Sequence, residues 1–155
     1  MASKTIGRSN DVTVIDRPTF VMQMPATWKV ADYQPDYDPD KLFTIDTEGQ
    51  STITLEVYET VQGQDTDDLL FNAIYVLDGP LVDTYSRSSF NKWGNLTGHG
   101  KHLKGKVMSM FPGGARIFFC QHNGRGLMVT EIYYSEDLQD VMEGFELIGK
   151  TFQFK

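Results

Sequence analysis

The stretch KVMSMFPGGARIFFCQHNGRGLMVTEIYY, residues 106–134, decides how this chain is built. It reads as three consecutive strands: Lys106 to Phe111, Ala115 to Gln121 and Leu127 to Tyr134. Pro112-Gly113-Gly114 is the expected first turn and Asn123-Gly124-Arg125-Gly126 the second. Asn-Gly is a strong hairpin signal because both residues tolerate positive φ. The expectation is an antiparallel meander in the C-terminal half.

Outward from the meander, Thr84 to Trp93 and Leu96 to Leu103 read as further strands about Gly94-Asn95. Earlier, Ile53, Leu55 and Val57 alternate with Thr54, Glu56 and Tyr58, the period of a half-buried strand. Leu42 to Ile45 and Phe20 to Met24 are shorter strands, the latter ended by Pro25, and Val12 to Ile15 is a candidate. Residues 31–41 carry Pro35, Pro39 and four aspartates and read as a loop.

Two helices complete the pattern, over about 66–77 and 136–147. In the first, Asp65 or Thr66 caps, Asp67 and Asp68 complement the helix dipole, and Leu69, Leu70, Ala73, Ile74 and Leu77 share a face. Gly79-Pro80 stops it. In the second, Ser135 caps, Leu138, Val141, Met142 and Phe145 form the buried stripe, and Gly149 ends it. A short strand at 151–154 closes the chain. The fold class is α+β: a mostly antiparallel twisted sheet packed by two helices. Residues 1–17 read as an N-terminal extension and 18–155 as a single domain.

With 155 residues, 40% hydrophobic and 23% charged, the chain has ordinary globular composition. No apolar run approaches the ~18–20 residues of a membrane span. The N-terminus lacks the apolar core of a signal peptide. The expected compartment is the cytoplasm, an exported mature form with a removed leader being the alternative. One cysteine, Cys120, excludes an intrachain disulfide framework and a cysteine-based zinc site.

Net charge is −7, yet all 21 acidic residues lie before residue 84 or after residue 130. The interval holds Arg87, Lys92, Lys101, Lys104, Lys106, Arg116, Arg125 and the three histidines. Either acidic and basic segments neutralise one another on adjacent strands, or the interval forms a basic face for an anionic partner. A pI near 4.8 argues against nucleic acid.

Within it, alternation puts His102, Lys104 and Lys106 on one face. Together with Lys101 and Arg116 they are the candidate anion-binding or partner-binding cations. A lysine-guarded edge strand is the competing reading. Met108, Met110 and Phe118 are the candidate apolar contacts, because methionine adapts to irregular partners. Asp36, Asp38 and Asp40 alternate like calcium ligands, but an EF-hand needs Gly and Glu where Lys41 and Thr47 stand. Cys120 and His122 project from the same strand face, without a third group to orient them. No catalytic residues, metal ligands or cofactor motif are expected.

Phe20-Val21-Met22-Gln23-Met24-Pro25 followed by Trp28 resembles the opening segment of the PsbP-like and DcrB-like superfamily. The order that follows, an alternating strand, a helix, a long meander, a C-terminal helix and an aromatic final strand, is similar from about 18 to 154. Thr27 stands where that group usually has glycine. Members include a photosystem II extrinsic subunit, a Ran-binding import factor, envelope lipoproteins and effector chaperones, mostly binding or assembly proteins. The resemblance implies a non-catalytic module that engages a protein partner through its sheet face. A small-ligand or anion-binding domain using residues 99–125 is the alternative, and a Cys/His enzyme the remote one. A homodimer stays open.

Overall fold

The computed structural model describes residues 11–31, 38, 40–59 and 66–155, residues 66 and 67 by backbone alone. The expected cap Asp65 and most of the acidic loop over 31–41 lie outside the described residues, and Thr66 is, by its backbone, the first residue of the first helix rather than its cap.

The strands are β1 (Val12–Asp16), β2 (Phe20–Pro25), β3 (Lys29–Ala31), β4 (Leu42–Asp46), β5 (Thr52–Glu59), β6 (Val82–Trp93), β7 (Leu96–Val107), β8 (Phe111–His122), β9 (Arg125–Tyr134) and β10 (Gln153–Phe154). Helix α1 is Thr66–Leu77. A 3-10 turn, Ser135–Asp137, leads into α2, Leu138–Thr151. The strands form one seven-stranded sheet, β3-β4-β5-β9-β8-β7-β6, and one small sheet, β1-β2-β10. Every strand pairing in both is antiparallel. The α+β class stands.

Alternation supplies the large sheet with two apolar faces, and each recruits its own cover. On one face Phe43, Ile45, Ile53, Leu55, Phe118, Leu127 and Val129 meet α2 and the small sheet. Phe20 of β2 stacks between Phe43 and Phe152. On the other face Val82, Leu103, Ala115 and Ile117 lie under Leu70, Ala73, Ile74 and Leu77 of α1. Val12–Asp16 pairs along its whole length with β2 and places Ile15 in the core.

The meander exists, but its first joint is not the expected one. Residues 108–110 form the hairpin loop, with Met108 at φ 55° and Ser109 at φ 62°. Pro112-Gly113-Gly114 lies inside β8, paired to Lys106, Gly105 and Lys104. The separate strands expected at 96–103 and 106–111 are one continuous strand up to Val107. The second joint is the Asn123-Gly124 turn, with Asn123 at φ 49° and Gly124 at φ 79°. Strand β3 was not expected at all; its three residues are too few to show a period.

The second helix also differs in detail. Ser135 does not cap it: Asp137 is the N-cap residue, with no side-chain capping bond. Instead the Asp137 carboxylate accepts from the Gln50 and Ser51 amides and the Ser51 hydroxyl. Nor does Gly149 end the helix. It sits where the backbone of Gly94, in the β6–β7 turn, comes into contact, and α2 continues to Thr151.

Candidate functional site

Register builds the site row by row. Ser88, His102, Arg116 and Glu131 stand side by side across β6, β7, β8 and β9, on the face that α2 covers in part. The next row is Ser86, Lys104, Gly114 and Tyr133. Lys106 follows two residues beyond Lys104 on the same face.

Glycines shape this surface. A Cβ on Gly114 would press on the Tyr133 ring, so the bare backbone lets Tyr133 lie across β8. Its hydroxyl thereby reaches His102 Nε2 at 2.6 Å. A Cβ on Gly100 would likewise overlap Phe90, which crosses β7 to stack on Phe118. Arg116 then lies over the Phe90 ring, 4.6 Å from its centroid, as a cation–π contact.

Glu131 is buried at the centre. It accepts from Trp93 Nε1 at 2.9 Å and from Arg116 Nη1 at 3.3 Å. Burial pushes its carboxyl up, while Arg116 and the Trp93 bond pull it down. His102 is lowered to about 4, first by burial and then by Arg116 and Lys104. The ring is therefore neutral at pH 7. Its Nε2 can accept from the Tyr133 hydroxyl, which burial keeps protonated.

This polar row is stitched into the core, and the open surface begins beside it. Helix α2 starts near Ser51 and Tyr134 and ends against Gly94. It crosses the sheet obliquely and leaves the Lys104–Lys106 corner uncovered. Lys104 and Lys106 are exposed and, among the described residues, form no ion pair. Tyr85, Met108 and Met110 are 77%, 61% and 67% exposed at the same end of β6–β8.

The expected site residues therefore part company. Lys104, Lys106, His102 and Arg116 share one face. Lys101 is on the opposite face, where it donates to Ser89 Oγ at 2.9 Å. Phe118 is 1% exposed and belongs to the core, so it cannot join Met108 and Met110 as a partner contact. Those two methionines sit in the hairpin loop, not on a sheet face. Arg125 pairs with Glu59 at the far end. Sequence reasoning missed Trp93, Glu131 and Tyr133 as members of this network; only the register reveals them.

The cysteine–histidine pair does not assemble. Cys120 is buried, which raises its thiol to about 11, and His122 stacks on Phe154. Among the described residues no group of three or more potential ligands can hold a metal ion. No described helix is long and apolar enough to cross a membrane.

No protein-family model matches the chain, and no curated protein sequence does. Solved structures match over nearly its whole length. The solution structure of PsbP (CyanoP) from Synechocystis shares 10% identity at a TM-score of 0.57, covering 94% of this chain and 93% of that one. The Ran-binding protein Mog1p of Saccharomyces cerevisiae shares 9% at 0.57, covering 92% and 95%. The chain has the PsbP/Mog1-like fold. LpqN of Mycobacterium tuberculosis, involved in cell envelope biogenesis, is a third example, with 13% identity at a TM-score of 0.56 and coverage of 96% and 94%. In this PsbP/Mog1-like chain the two-sided cover of the sheet leaves the Lys104–Lys106 corner and the long β6 edge open.

Proposed function

We propose that this PsbP/Mog1-like chain is a non-catalytic binding or assembly module. It engages a protein partner through the open sheet corner bearing Tyr85, Lys104 and Lys106 and the adjoining loop with Met108 and Met110. The observation that carries this is the exposure of Tyr85, Met108 and Met110 beside two lysines that form no ion pair among the described residues. Exposed apolar side chains rimmed by charge are the usual composition of an interaction surface. Buried Cys120 and the bonded His102 and Glu131 serve packing rather than chemistry. The name Mog1p carries, a Ran-binding protein, supports a protein partner as the kind of ligand this fold accepts.

A photo-crosslinking amino acid placed at Tyr85 or Met110 tests the reading in the native host. The expected result is a discrete protein adduct from both positions and none from Glu143, on the exposed side of α2. Adducts of equal yield from all three sites, or from none, would reject it.

A further inference from the structure

We propose that the β6 edge, over Tyr85–Phe90, takes an extended segment of a protein partner as an added strand, one rich in acidic side chains. This rests on the protein-binding reading above and names the partner's chemistry.

Strand β6 is the outermost strand of the large sheet and runs for 12 residues; the opposite edge, β3, has three. Ser86 to Phe90 pair with β7 in unbroken register, between irregularities at Thr84/Ser86 and Phe90/Lys92. Tyr85, Ser86, Arg87, Ser88 and Ser89 are exposed in succession, so neither face of this segment is covered. Beyond the sheet ladder, the one backbone bond to β6 among the described residues runs from Gly79 N to Val82 O, at its start. The outward amides and carbonyls of 85–90 therefore lack backbone partners, which is the template that strand addition uses.

Exposed edges are normally guarded by lysine or proline. This one is not. Between the irregularities its sole charge is Arg87, which donates to Asp78 at 2.6 and 2.8 Å.

Both sides of the edge present cations, and the α1 side adds apolar groups. On the α2 side, Lys104 stands behind Ser86, and Lys106, next to it, stands opposite Asp83. Strands are ~4.8 Å apart, a gap a lysine side chain spans, and small serines do not block it. Lys101 shows the reach on the other face by crossing to Ser89 Oγ. On the α1 side, an open cavity of about 580 Å³ adjoins β6, with Leu70 and Ile74 but also Asn91, His99 and Lys101 in its wall. An added strand points alternate side chains to the two sides. One set meets the Lys104 and Lys106 ammonium groups; the other meets Lys101 beside Leu70 and Ile74, so acidic side chains find a cation on either side.

The probe is a fluorescein-labelled ten-residue peptide of alternating Glu and Val, with a Lys/Val peptide as control. Fluorescence anisotropy is expected to show saturable binding of the first only. Lys104→Glu with Lys106→Glu should weaken it about tenfold or more. Hydrogen exchange should slow at residues 85–90 in the complex. Ser88 and Ser89 have opposite parity, so one of their amides points out of the sheet. Of Ser88→Pro and Ser89→Pro, the variant that keeps the wild-type melting temperature should lose binding. Equal binding of both peptides, binding without slowed exchange at 85–90, or no binding would each overturn the proposal. Crosslinks from Tyr85 to a partner that leaves exchange at 85–90 unchanged would sink the added strand and keep the protein-binding reading. Loss of both results would sink the two together.

Discussion

At the residue scale the instructive group is Glu131. A buried carboxylate is costly unless charge and hydrogen bonds compensate it, and Arg116 and Trp93 do so here. Removing one partner of such a pair costs more than the pair contributes. Arg116→Met should lower stability by about 3–5 kcal/mol at pH 7. The loss should shrink as the pH is lowered from 7 to 5, because burial pushes the Glu131 carboxyl up and so favours its neutral form, which needs no cation beside it. Denaturant unfolding at the two pH values checks this; an equal loss at both would contradict it. His102 acts in the opposite sense. Its folded value, about 4, lies below the ordinary 6.5. Between these values the unfolded chain binds a proton that the folded chain does not, so stability rises with pH and is lost as pH falls through that window. His102→Gln should flatten the melting-temperature profile between pH 4 and 6.5. An unchanged slope would show that other groups set it.

At the element scale, turns and close approaches decide the architecture. The β7–β8 loop places Met108 and Ser109 at positive φ, a conformation that neither side chain favours. Met108→Asn with Ser109→Gly should raise stability by roughly 0.5–1 kcal/mol. A thermal scan that shows no gain would mean the two side chains make compensating contacts. The β6–β7 turn is the contrary case. Gly94 has φ 59°, and a Cβ there would overlap the Gly149 carbonyl oxygen of α2. Gly94→Ala should destabilise by about 1–3 kcal/mol, combining strain with overpacking. A wild-type melting temperature for that variant would refute the close approach.

At the scale of the whole molecule, the large sheet has two unequal covers. The face under α2 and the small sheet buries Phe20, Phe43, Trp28, Phe145 and Phe152 among many others, whereas α1 covers Val82, Leu103, Ala115 and Ile117. Less buried apolar area means a lower free energy of local opening. Native-state hydrogen exchange should find α1 opening before β5, β8 and β9. Simultaneous exchange of α1 and those strands would show that the molecule opens only as a unit. Phe71, Tyr75 and Val76, on the outer side of α1, are 65%, 72% and 64% exposed and add nothing to that cover.

What the sequence determined by itself was what local periodicity can write. The alternation at Ile53, Leu55 and Val57, the apolar stripe Leu70-Ala73-Ile74-Leu77 and the Asn123-Gly124 turn each belong to one element. They specify strands, helices and the α+β class without reference to any distant residue. The first meander turn was misplaced because glycine has two uses. Gly113 and Gly114 read as turn residues, but they serve close packing against Tyr133, a partner that only the β8–β9 register supplies. The strain at Met108 and Ser109 has no local signal at all. The site shows the same division. Alternation placed Lys104 and Lys106 on one face with His102, whereas Arg116 joined them, and Phe118 and Lys101 left them, only once strands paired. Glu131, Trp93 and Tyr133 entered for the same reason. A hydrogen bond spanning 31 or 38 residues of sequence is decided by which strands become neighbours and in what register. That choice is made by the burial of whole sheet faces, not by any local stretch of chain.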